Sequence, residues 1–140
     1  MKKSTDELMK LLRNKKSYDD FMKESSGSMS SQSLTAALES VLKANHIAKA
    51  EAISRSNLQR NYAYQIFNGQ RIPSRDKLLM LCIGMRANPE QTSGLLRKIK
   101  ASPLYAKDQR DSVILFGIMH GISVIDINIL LYEHHLKCLE

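Results

Sequence analysis

The run Ala52-Ile53-Ser54-Arg55-Ser56-Asn57-Leu58-Gln59-Arg60-Asn61-Tyr62-Ala63-Tyr64-Gln65-Ile66-Phe67-Asn68-Gly69 holds two short helical patterns separated by a polar break. Before the break, a helix is predicted over 48–55, with Ala52 and Ile53 as its small and aliphatic contacts. Ser56-Asn57 interrupts it. After the break, Leu58, Ala63 and Ile66 give an inward stripe at helical spacing, predicting a second helix over 59–67. Asn68-Gly69 then supplies a familiar helix stop.

The pattern stays helical in both directions from this run. Upstream, Leu34, Leu38, Val41 and Leu42 mark one face of a helix ending near Asn45. Downstream, Pro73-Ser74 opens a helix whose expected buried stripe is Leu78, Leu81, Cys82 and Met85. Asn88-Pro89-Glu90-Gln91 is a strong start signal, with Asn as cap, Pro at the first position and Gln at the third. The helix it opens buries Leu95, Leu96 and Ile99 and ends near Lys100. Ser102-Pro103 breaks the chain again. Two further helices are predicted over 108–120 and 124–134, with Gly121 ending the first and Ser123 and Asp126 capping the second. No period-two pattern persists and no repeat of 20–50 residues appears, so the fold class is all-α.

The chain divides into three segments. Residues 1–33 carry two short helical patterns and a linker: Ser4 and Glu7 have capping-box spacing ahead of Leu8, Leu11 and Leu12. Phe21 and Met22 follow a second start at Ser17, and six serines fall within residues 25–33. Residues 34–100 form the main helical domain, and 101–140 a C-terminal helical hairpin. The hairpin, with Val113, Ile114, Phe116, Ile118, Ile125, Ile127, Leu130 and Leu131, is the most apolar part. It either caps the helical core or forms a dimer surface.

With 140 residues and 43% apolar content, the chain is long enough and apolar enough to bury a core. The most hydrophobic stretch, 113–131, contains His120, Gly121, Asp126 and Asn128, so it reads as buried helices and not a membrane span. Met1-Lys2-Lys3 is followed by polar residues instead of an apolar core, so no signal peptide is expected. The expectation is a soluble cytoplasmic protein without membrane association, with Cys82 and Cys138 as free thiols.

Net charge is +7, unevenly placed: residues 1–42 sum to +1, residues 43–110 to +9 and residues 111–140 to −3. A positive middle of this kind suits a nucleic-acid surface, and equally a solvated basic face.

Five short helices over 34–100, with a tight break between the second and third, resemble the lambda-repressor-like (Cro/C1/XRE) helix-turn-helix domain. The resemblance covers about half the chain. It rests on Ala52-Ile53, Leu58, Ala63, Ile66, Asn68-Gly69, Pro73 and Leu78-Leu79. Residues 62–77 also look like a recurring group of small bacterial helix-turn-helix proteins. The resemblance implies that the third helix projects its outer face into the major groove of double-stranded DNA.

Read from the residues alone, that outer face presents Arg60, Asn61, Tyr64 and Gln65. Arg pairs with guanine through two hydrogen bonds, and Asn or Gln with adenine. Any solvated helix also needs polar residues outside, so the composition alone leaves both readings open. The family match puts base contacts at Arg60, Asn61 and Gln65 and phosphate contacts at Lys49 and Asn68, with Arg75 near the backbone or minor groove. Arg71 is a phosphate candidate on charge. Tyr62 is expected to pack against a neighbouring helix. Three positions depart from the family: Phe67 stands where Glu is common, Ser56 where an aliphatic residue is usual, and Ile53 where Ala is usual.

Glu133-His134-His135 and Cys138 lack zinc-like spacing, so no metal site is expected. His46 and His120 read as helix-end residues, and Asp19-Asp20 and Arg110-Asp111 as helix-end charges. No phosphate loop, nucleophile elbow or paired catalytic carboxylates appear, so no catalytic residues, cofactor or enzymatic activity are expected. Two functions remain: a dimeric, sequence-specific DNA-binding regulator, or a helical adaptor that keeps the fold and binds an acidic protein partner.

Overall fold

The computed structural model describes residues 32–140, so the expected helices and Ser-rich linker before residue 32 lie outside the described residues. Residues 34–140 make one compact unit. Among the described residues there are seven helices and no strand: α1 (Gln32–Ala44), α2 (Lys49–Ser56), α3 (Arg60–Phe67), α4 (Arg75–Gly84), α5 (Pro89–Lys98), α6 (Gln109–Met119) and α7 (Val124–Glu133). None of them is long and apolar enough to cross a membrane.

Local chemistry sets most helix starts. Ser74 Oγ accepts from the Lys77 N–H, Asp108 from the Asp111 N–H, and Ser123 from the Asp126 N–H. At α5 the Asn88 side chain accepts from the Gln91 N–H (2.7 Å) while Gln91 Oε1 accepts from the Asn88 N–H (2.9 Å), a reciprocal capping box. Asn45 extends that box. Its amide exchanges hydrogen bonds with Gln91 and donates to the Met85 carbonyl (2.9 Å), tying the end of α1 to α4 and α5.

Leu34, Leu38, Val41 and Leu42 of α1 are buried, as their spacing predicts. For α4 the outcome differs from the one-sided stripe expected. Every residue from Leu78 to Met85 is buried, because α2, α5 and α7 all pack against this helix. A segment enclosed on all sides needs no polar face. Gly84 permits the tightest of these approaches: a Cβ there would lie 2.3 Å from the Ala52 carbonyl oxygen of α2.

The C-terminal hairpin has two different faces. Ile114, Val124, Ile127 and Leu131 are buried, and Gly117 lets Ile127 close onto α6. Phe116, Met119, Ile125, Ile129 and Tyr132 remain exposed, so the hairpin's apolar content is only partly absorbed by the core. The tail folds back onto α7, where the Asn128 amide both donates to and accepts from the Leu139 backbone (3.1 and 2.7 Å).

Arg110 and Asp111 lie in the first turn of α6, as expected of helix-end charges, and in addition join the hairpin to α4. Arg110 grips Asp76 and Arg75 grips Asp111, each through two nitrogens at 2.8–3.1 Å. Each pair is Arg-Asp in sequence, and each Arg takes the other helix's Asp. The carboxylates sit in the first turns of α4 and α6, where the helix N-termini favour negative charge.

Candidate nucleic-acid interface

Helices α2 and α3 are separated by only Asn57, Leu58 and Gln59. Asn57 makes the reversal in the left-handed region (φ 61°), which Asn tolerates better than most side chains. Ser56 closes the same turn from within. It is fully buried, its hydroxyl donates to the Ile53 carbonyl (2.6 Å) and accepts from the Leu58 N–H (3.2 Å), so it hydrogen-bonds the turn internally. Gln59 caps α3 by accepting from the Tyr62 N–H (2.7 Å). The turn is therefore held by side chains on both sides.

Ala63, Ile66 and Phe67 bury one side of α3 completely or nearly so. The other side presents Arg60 and Asn61, both exposed, with Tyr64 and Gln65 half-buried. These four fall in two i, i+4 rows, Arg60 with Tyr64 and Asn61 with Gln65. The Arg60 guanidinium lies 5.7 Å from the Tyr64 ring centroid. A groove between α2 and α3, walled by Ile53, Ser54, Leu58 and Tyr64, opens beside that row.

The cations expected to hold phosphate are placed differently from one another. Arg71 is exposed, its Nε–H donates to Gln65 Oε1, and its guanidinium lies over the Tyr62 ring (5.8 Å). Asn68 is exposed at the end of α3. Lys49 pairs with Glu39 at 3.0 Å and sits 5.3 Å over the Phe67 ring, which gives the unusual aromatic at 67 a local partner. Both carboxylate and ammonium are solvent-accessible, so that pair is weak and exchangeable. Arg75 stands apart. Its guanidinium is taken up by Asp111 and by the carbonyls of Ser102 and Pro103, at 2.9–3.1 Å.

The sequence reading does not single out Lys77, whose ammonium lies 5.7 Å from the Tyr62 ring on the same side chain that Arg71 covers. Tyr62 is half-buried and packs against the core, as expected, and in addition gathers two cations at the exit from α3. No spacing rule brings a residue in α4 to one in α3, so composition alone gave no signal for it.

No protein-family model, curated protein or solved structure matches the chain. The helix-turn-helix resemblance therefore rests on the residues quoted for it alone.

Proposed function

We propose that this protein is a sequence-specific regulator that reads double-stranded DNA in the major groove with α3, and that α1–α5 form a lambda-repressor-like domain. The observation that carries the reading is the division of α3. Ala63, Ile66 and Phe67 anchor it, while the side chains suited to paired hydrogen bonds with purine edges, Arg60, Asn61 and Gln65, lie on its outer side. A short turn, hydrogen-bonded internally through the buried Ser56 and capped by Gln59, fixes the angle at which that side is offered. Tyr64 lies beside Arg60 and can meet sugars or thymine methyls.

In this reading Lys49, Asn68 and Arg71 hold phosphates and set register, and Lys77 joins them on the strength of its position over Tyr62. Arg75 is left out of that set because it is committed to Asp111. The protein acts in the cytoplasm as a homodimer, since one recognition helix spans too few base pairs for useful specificity.

The test is selection from sheared genomic DNA at near-physiological salt, with the wild-type protein and an Arg60→Ala, Gln65→Ala double variant in parallel. A few sites recovered by wild type alone are expected. Uniform or absent recovery by both proteins overturns the reading in favour of a helical adaptor whose basic face meets an acidic protein.

A further inference from the structure

The starts of α4 and α6 are joined by the Arg75–Asp111 and Arg110–Asp76 pairs, but their other ends are not. There a recess of about 330 Å³ opens between the end of α2, the α4–α5 turn and the end of α6 with the turn that follows it. Ile83 and Ala87, both buried, form its α4 side, and Ile118 and Ile122, both half-buried, its hairpin side. Met119, 65% exposed, adds an unbranched thioether that can adapt to a contact. A methyl group on Gly121 would meet nothing within 4 Å, so the α6–α7 turn leaves its side of the recess open.

The charged part of the lining is two arginines, with no Asp or Glu beside them. Arg55 Nε donates to the Gly84 carbonyl (3.3 Å), which steadies the guanidinium at the end of α4. Its two terminal nitrogens have no partner among the described residues, and neither has the Arg86 guanidinium. The carbonyl ends of α4 and α6 offset only roughly half a charge each, so the recess stays positive.

Size and chemistry narrow the choice of occupant. Small-molecule sites run from roughly 300 to 1,000 Å³, and this recess is at the small end, too small for a nucleotide or a helix of another protein. An apolar wall beside unpaired guanidinium groups suits a molecule with a hydrocarbon body and one anionic end. The planar fork of Arg matches a carboxylate through two parallel hydrogen bonds.

We infer that the recess binds a small organic carboxylate, with a short aliphatic chain or single ring against Ile83, Ile118 and Ile122 and its charge on Arg55 and Arg86. Binding here does not require that α3 reads DNA. Arg55 immediately precedes Ser56, however, so an occupant held by Arg55 lies next to the turn that aims α3.

The test is a titration of the full chain, with labelled Ile and Met methyl groups followed by NMR, using hexanoate, 1-hexanol and inorganic phosphate as separate probes. Hexanoate is expected to shift the Met119, Ile118 and Ile122 signals saturably and to leave the exposed Ile72 and Ile129 in place. Hexanol and phosphate, each lacking half of the required chemistry, are expected to bind several-fold more weakly. Arg86→Gln, at an exposed side chain without contacts to lose, is expected to weaken hexanoate about threefold, the size of an exposed ion pair. Arg55→Gln is expected to weaken it further in protein with an unchanged helical spectrum. Absence of saturable shifts, equal shifts at Ile72 and Ile129, binding of hexanol or phosphate as tight as hexanoate, or wild-type affinity in Arg86→Gln overturns the proposal.

Discussion

Arg75 and Asp111, thirty-six residues apart, meet through two parallel hydrogen bonds of 3.0 and 2.9 Å, in a pair that is largely shielded from solvent. Asp111 is also the acceptor for the Tyr105 N–H (3.0 Å), so one carboxylate organises the loop before α6 as well as its contact with α4. Arg110 repeats the arrangement in reverse, pairing with Asp76 while its Nε donates to the Lys137 carbonyl and its Nη2, shared with Asp76, to the Cys138 carbonyl. The tail, the hairpin and the start of α4 are thus tied through two guanidinium groups.

Asp111→Ala strands Arg75 at the start of α4 without its counter-charge. Removing one member of such a pair is expected to destabilise the protein by about 2–3 kcal/mol, below the ~3–5 kcal/mol of fully buried pairs because Arg75 keeps some solvent contact. Urea unfolding measures it. In a double-mutant cycle, Arg75→Ala and Asp111→Ala are expected to be strongly non-additive. Additive losses would show that the two residues do not act as a pair.

Acid reads the same carboxylate. Burial alone would raise the Asp111 pKa, but hydrogen bonds from Arg75 and the Tyr105 N–H, with the charges of Arg75 and Arg110, outweigh it and hold the group below its ordinary value of 3.8. A depressed folded-state pKa means that its stabilisation is complete above the unfolded value and is lost as pH falls through the folded one. Melting temperature is therefore expected to fall more steeply in wild type than in Asp111→Asn as pH drops from 5 toward 3. Parallel curves would remove Asp111 from the acid response.

The helices were legible because their signals are local. Asn88-Pro89-Glu90-Gln91 makes the capping box its spacing predicts, Ser123 caps α7, and Leu34, Leu38, Val41 and Leu42 bury one face of α1. What was not legible depends on partners distant in sequence. Arg110-Asp111 reads as helix-end charge, which it is, but its pairing with Arg75-Asp76 of α4 shows only in the fold, and α4 reads as amphipathic until three helices enclose it. Within the candidate interface the same division holds. The outer face of α3 follows from its periodicity, whereas the loss of Arg75 to Asp111 and the gain of Lys77 over Tyr62 are tertiary.

Gly84→Ala tests the contact that positions α2. The added methyl would meet backbone atoms, the Ala52 carbonyl oxygen at 2.3 Å and the Ser56 nitrogen at 3.0 Å, and neither can rotate away. Overpacking of this kind is expected to cost about 2–3 kcal/mol. Because Ser56 begins the turn into α3, the same change is expected to weaken DNA binding in protein that remains folded. Unchanged stability would mean that α2 and α4 can separate without penalty.

The two thiols should differ sharply in reactivity. Cys82 is fully buried in α4, and burial pushes its thiol up to about 12, with the Thr92 side chain pulling weakly the other way. Thiolate is the reactive form, so Cys82 is expected to resist alkylation near neutral pH until the protein unfolds. Cys138 is only half-buried and is expected to react in the folded state. Mass spectrometry after a thiol probe distinguishes them, and prompt labelling at Cys82 would show that the core opens readily.

Phosphate and base contacts make opposite predictions for mutants on the two sides of Tyr62. If Arg71 and Lys77 meet phosphates, then Arg71→Ala and Lys77→Ala weaken binding to every DNA sequence alike. Each is also expected to lower the slope of log affinity against log salt by about 1. Arg60→Ala and Gln65→Ala should instead erase preference at individual base pairs, each at about 1–3 kcal/mol, with Arg60 acting at a guanine and Gln65 at an adenine. Fluorescence anisotropy on the selected site and on a scrambled duplex, across a salt series, separates the two effects. Arg71 complicates the division because its Nε–H donates to the Gln65 side-chain carbonyl oxygen and so restrains that side chain. Losing that restraint frees Gln65 to turn, so Arg71→Ala is expected to blur preference at the Gln65 base pair in addition to its uniform loss. A purely uniform loss for Arg71→Ala would show that Gln65 is held by the DNA and not by Arg71.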